Sequence, residues 1–81
     1  MAKKSPTHAG NKSLIALGLA IKELRQNLNL SQEDLAEVSE LDRSYIGGIE
    51  RGEHNLSVIS LIKISKALEV RLSDLFKISK I

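Results

Sequence analysis

The stretch from Ser31 to Arg51 constrains this chain most, because it holds two helices too short and too closely joined to lie side by side. Ser31-Gln32-Glu33-Asp34 opens the first. Ser31 is placed to cap the amide three residues on, and Asp34 to reach back to it, the reciprocal arrangement of a capping box. Glu33 and Asp34 also suit the positive end of the helix dipole. The spacing predicts a helix over residues 32–39, with Leu35, Ala36 and Ser39 facing inward. Asp42 caps a second helix over residues 43–51, and Gly52 follows where a helix needs a left-handed C-terminal residue. Only Glu40 to Asp42 separate the two, so they must cross at a steep angle. Ala36 is then expected at the closest approach, with Leu41, Ile46 and Ile49 anchoring the second helix. Arg43, Ser44, Tyr45 and Gly47-Gly48 are left on its outer side.

The rest of the chain supplies helices of the same kind. Leu14, Leu17, Ile21, Leu24 and Leu28 recur at three- and four-residue steps and predict a helix over 13–28. Ser57 caps a helix over 58–68 with Ile59, Leu61, Ile62, Ile64 and Leu68 apolar. Ser73 caps a last one over 74–78 that presents Leu75 and Phe76. No segment alternates apolar and polar residues over strand length, so the expected class is all-α. At 81 residues the chain holds one domain, expected over residues 13–81 and preceded by a flexible basic arm over 1–12.

Charge argues for a nucleic-acid partner only weakly. Residues 1–12 hold Lys3, Lys4 and Lys12 and no acid, whereas residues 13–81 hold nine basic against ten acidic residues. The formal +2 of the whole chain therefore sits in the arm. Such an arm lies along phosphates or in a minor groove, or it only solubilises the chain, the plainer reading. If the folded part binds DNA, its cations must be gathered on one face. Cysteine is absent, which excludes disulfides and thiolate metal sites. The longest apolar run, Leu14 to Ile21, is interrupted by Gly18 and falls well short of the ~20 residues that span a bilayer. A soluble cytoplasmic protein is expected. His8 and His54 fall in the arm and in a loop. No HExxH, phosphate-binding glycine loop, nucleophile elbow or carboxylate pair accompanies them. No enzyme, metal, cofactor or small-molecule ligand is expected.

The stretch LSQEDLAEVSELDRSYIGGIERGE resembles the Cro/repressor-type, or XRE-like, helix-turn-helix regulators. Its most specific parts are Ser31-Gln32 with Leu35-Ala36, and Tyr45-Ile46 with Ile49-Glu50-Arg51-Gly52. Ala67-Leu68 and the closing Leu72-Ser73-Asp74-Leu75-Phe76 match as well, so the likeness covers about residues 14–77. The resemblance implies a compact five-helix, lambda-repressor-like domain that docks its third helix in the major groove. It implies that Ser31 and Gln32, at the helix start, hold a backbone phosphate. The competing reading is a solvated polar terminus. Arg43 and Ser44 match positions that contact base edges; an arginine fork meets guanine O6 and N7 together. Arg43 otherwise pairs with Asp42 or Glu40. Tyr45 reads a thymine methyl or a phosphate, or is half-buried beside the preceding helix. Arg51 and Asn55 match a second phosphate clamp, and Arg25 and Glu50 a partly buried structural salt bridge.

Two departures stand out. Gly48 occupies a position where relatives carry a base-reading side chain, which leaves close approach of the backbone to DNA, or tight packing, as explanations. Glu40 stands where relatives place glycine for a left-handed turn, a conformation unfavourable to glutamate.

A single recognition helix of this length reads only a few base pairs. A homodimer on a palindromic operator of double-stranded DNA is therefore expected. Its interface is expected at Leu72, Leu75, Phe76, Ile78 and Ile81. The size and the LDRSYIGGIERG stretch are similar to controller proteins of restriction-modification systems, with regulation by concentration the simplest mechanism. The rival reading is a helical protein-interaction module, antitoxin-like or a regulatory subunit, which the acidic balance of residues 13–81 favours slightly.

Overall fold

A computed structural model describes residues 10–81 of the chain. Five helices follow one another: α1 Lys12–Asn27, α2 Gln32–Ser39, α3 Arg43–Glu50, α4 Val58–Ala67 and α5 Leu72–Ser79. The described residues contain no strand, and the all-α expectation holds. Four of the five helices begin on a side-chain cap. Asn11 accepts the amide of Leu14, Ser31 that of Asp34, Asp42 that of Ser44 and Ser57 that of Ser60. The capping box at Ser31 is complete, with Asp34 Oδ2 accepting the Ser31 amide at 2.9 Å.

Packing forms a closed circuit. Helix α1 lies against α3 and α5, α2 against α3 and α4, and α4 against α5. Ile21, Leu35, Ile46, Ile49, Ile64 and Leu75 fill its centre. Leu24, Leu41, Tyr45, Leu56, Val70, Leu72 and Phe76 pack around them, partly buried. Gly18 sets how closely α1 approaches α3: a Cβ there would lie 2.3 Å from the Ile49 carbonyl oxygen and 2.8 Å from that of Glu50. The small residue that this approach requires is thus in α1.

The ends of the fold depart from expectation. Helix α1 begins before Ser13, because Asn11 caps it, so Lys12 belongs to the helix rather than the arm; residues 1–9 of that arm lie outside the described residues. Leu28, the last of the recurring leucines, is the C-cap of α1 and is exposed. Helix α5 starts at Leu72 behind Arg71, which makes no side-chain cap. Ser73 is inside the helix, since Leu72, Leu75 and Phe76 at three- and four-residue steps gain more from the core than a serine cap supplies. That packing also corrects the expected interface. Leu75 is wholly buried within its own domain and offers no surface to a partner, and Leu72 and Phe76 are largely spent on the same core. Ile78 and Ile81 remain exposed. So does Ile59, one of the apolar positions of α4.

Glu40 adopts the left-handed conformation, at φ 60°, so the turn between α2 and α3 has the glycine-type shape without the glycine. The left-handed region costs a residue with a Cβ about 1–2 kcal/mol. The turn is retained because Leu41 N–H donates to the Ala36 carbonyl and Leu41 packs on the core.

Candidate nucleic-acid interface

Helix α3 has one face fixed and one face free. On the fixed face, Glu50 accepts from Arg25 Nε at 2.6 Å and from Arg25 Nη2 at 3.1 Å. Arg25 Nη1 donates to the Leu30 carbonyl at 2.8 Å, and Gln32 Nε2 donates to Glu50 Oε1 at 3.0 Å. Both charged side chains are buried, at 9% and 3% exposure. The two-pronged geometry is what makes the desolvation of both charges tolerable. The pair was expected, and its role is to tie α1 to α3.

Gln32 is consequently held at the first turn of α2, beside α3. The amides of Gln32 and Glu33 are first-turn donors that no helix carbonyl can reach, and both residues line a cleft together with Arg25, Ser31 and Arg43. Asp34, whose carboxyl lies below its usual range because the Ser31 amide and hydroxyl donate to it, keeps the cap charged.

Arg43 is exposed at the start of α3 and makes no ion pair with Asp42 or Glu40. Its neighbour Ser44 is committed differently. Both its amide and its hydroxyl donate to Asp42 Oδ2, and these bonds hold the Asp42 carboxyl below its usual range. A hydroxyl has one proton, so Ser44 presents only acceptor capacity outward. It suits the amino group of adenine or cytosine rather than guanine O6.

Tyr45 is half-buried against the core, and its ring lies 5.0 Å from that of His54 at an interplanar angle of 51°. Its packing partner on this side is thus the loop after α3. The same imidazole explains Gly48. A Cβ on Gly48 would lie 2.4 Å from His54 Nε2, so the position is filled from outside the helix. Tight packing is the answer, and the atoms that pack are a side chain. Sequence reasoning left His54 aside. The signal was a missing side chain at 48, with nothing local to show what replaces it.

Arg51 caps the end of α3 and forms an exposed two-pronged pair with Glu53, Nε to Oε2 at 2.9 Å and Nη2 to Oε1 at 3.2 Å. The pair raises the guanidinium and holds the Glu53 carboxyl below its usual range. Gly52, at φ 76°, turns the chain there, and a Cβ on it would lie 2.7 Å from Ile15 Cα. Asn55 is exposed just before the α4 cap. Arg43, Ser44, Arg51 and Asn55 thus all reach solvent on or beside α3, with Gln32 at the neighbouring helix start. Among the described residues no group of side chains could hold a metal ion, and no helix is long and apolar enough to cross a membrane.

Residues 21–75 match the family model described as helix-turn-helix. The control protein C.MunI of Mycoplasma sp is 43% identical over 67 residues, 82% of this chain and 90% of the relative. The crystal structure of the restriction-modification controller protein C.AhdI from Aeromonas hydrophila superposes with a TM-score of 0.76 at 46% identity, over 78% of this chain and 96% of that one. The controller protein C.Esp1396I, solved as a tetramer in complex with its natural 35 base-pair operator, superposes with a TM-score of 0.77 at 43% identity, over 84% and 90%.

Proposed function

This chain belongs to the helix-turn-helix family, and on that premise we propose that it is a sequence-specific transcriptional regulator of the restriction-modification controller type, binding a palindromic operator as a homodimer. The observation that carries the reading is the division of α3. Its polar residues on the α1 side are all satisfied within the fold, while Arg43 projects into solvent with no partner among the described residues.

Base reading falls to Arg43 and Ser44, with Tyr45 holding the helix against its loop. Phosphate binding falls to the first turn of α2, through the amides of Gln32 and Glu33 rather than Ser31, whose donors go to Asp34, and to Arg51 and Asn55. Contacts of the second kind set register without reading sequence. Eight residues of helix extend about 12 Å and meet few base pairs. Two copies related by a two-fold axis read half-sites whose centres lie about 34 Å apart. The dimer surface draws on Ile78 and Ile81, with the outer edges of Leu72 and Phe76. The protein acts in the cytoplasm by occupancy, with no catalytic step, cofactor or small-molecule ligand.

Selection of bound sites from random duplex DNA, followed by binding across a salt series, tests the reading. A palindromic consensus is expected, together with affinity that falls linearly in log–log form as salt rises. Absence of duplex binding even at low salt would overturn it in favour of a protein-interaction module.

A further inference from the structure

His54 lies outside the recognition helix, yet it occupies the space where the helix lacks a side chain. Its Nε2 lies 2.4 Å from where a Gly48 Cβ would stand, and Cδ2 lies 2.6 Å from the same point. Its ring rests against Tyr45, one turn back on α3. The residue is only partly buried, and because the Nε2–Cδ2 edge is turned to Gly48, Nδ1, across the ring, is the nitrogen directed away from the helix. Arg51 and Glu53 beside it are engaged with each other.

We infer that His54 is a specificity-determining residue, reading a base edge from the loop after α3 in place of the side chain that Gly48 lacks. Of the two nitrogens of a neutral imidazole one donates and one accepts; with Nε2 turned to Gly48, Nδ1 meets the base, donating to purine N7 when it carries the ring proton and accepting from an exocyclic amino group when it does not. Gly48 and Tyr45 are positioning residues: the first leaves room for the ring, the second fixes its plane. The inference rests on the DNA-reading function proposed above and deepens it.

The test is site selection from random duplex DNA with the wild-type chain, His54→Ala, Gly48→Ala and the double variant, alongside affinity for the wild-type consensus and for random duplex. If the wild-type chain binds no duplex, the proposed function fails rather than this assignment. Otherwise His54→Ala is expected to lose preference at one base pair per half-site and about tenfold in affinity for the consensus, with random-duplex affinity unchanged. Gly48→Ala, its fold checked by circular dichroism, is expected to reproduce that loss by displacing the ring, and the double variant to lose no more than His54→Ala. An unchanged consensus for His54→Ala overturns the inference. So does an equal loss on random duplex, which would make the residue a phosphate contact or a mere support for α3. Additive losses in the double variant would overturn the coupling to Gly48.

Discussion

The two sides of α3 handle charge in opposite ways. Toward α1, Arg25 and Glu50 are buried, bonded twice to each other, and bonded further to the Leu30 carbonyl and Gln32. Toward solvent, Arg51 and Glu53 make the same two-pronged contact at 61% and 44% exposure, and Arg43 makes none. The chemistry is shared and the dielectric is not. An exposed pair contributes about 0–1 kcal/mol and can exchange its partner for a phosphate. A buried pair cannot be halved without stranding a charge in the core. One helix is therefore rigidly seated along one edge and free to exchange contacts along the other.

The largest expected effect tests the seated side. Glu50→Ala leaves the Arg25 guanidinium buried with only a carbonyl and should lower unfolding free energy by about 3–5 kcal/mol, measured by urea denaturation. A loss under about 1 kcal/mol would mean that the pair behaves like a surface one, and the contrast would collapse. Gly18→Ala probes the same seam without touching charge. Its Cβ would collide with the backbone carbonyls of Ile49 and Glu50, so α1 and α3 must separate, at a cost of about 1–3 kcal/mol.

Arg43→Ala probes the free side. Stability should move by no more than about 0.5 kcal/mol, while discrimination at one or two operator positions falls by about 1–3 kcal/mol, read by site selection and competition binding. Unchanged discrimination would remove Arg43 from base reading. A stability loss would show that the free side is also structural.

How much of this was legible depended on range. The caps at Ser31, Asp42 and Ser57 were readable because donor and acceptor lie two or three residues apart. The Arg25–Glu50 bridge spans 25 positions and came from the family pattern rather than from any local signal. The start of α5 was misplaced because a local cap signal at Ser73 competed with burial of Leu72 and Leu75, and burial prevailed. His54 was missed because its contact is with an absence. Only the turn at Gly52 brings the loop back over Gly48. Glu40 was legible as a conflict and proved to be one. Glu40→Gly should raise stability by about 1 kcal/mol, less some loss to unfolded-chain entropy, measured as a shift in thermal midpoint. No gain would mean that the turn's other contacts already absorb the strain.

The smallest effect is the sharpest test of exchangeability. Glu53 holds Arg51 on the surface, so if Arg51 binds a phosphate as proposed, the acid competes with DNA for the guanidinium. Glu53→Gln removes the competing charge and should leave the urea midpoint unchanged, because the pair is exposed. Random-duplex binding should tighten a few-fold at low salt, and its salt dependence should steepen by about one phosphate equivalent. Weaker binding would mean instead that Glu53 aims Arg51 at the backbone. Acid offers the same release in principle. The Glu53 carboxyl is depressed by the hydrogen bond from Arg51, so the pair is intact above the ordinary carboxylate range and is lost as pH falls through the lowered value. The carboxyls of Asp34 and Asp42 are depressed as well. The caps of α2 and α3 therefore fail in the same window, below about pH 4. Lowering the pH would loosen α2 and α3 while freeing Arg51. The substitution at neutral pH separates the two, because it changes the outer face of α3 and leaves both caps charged.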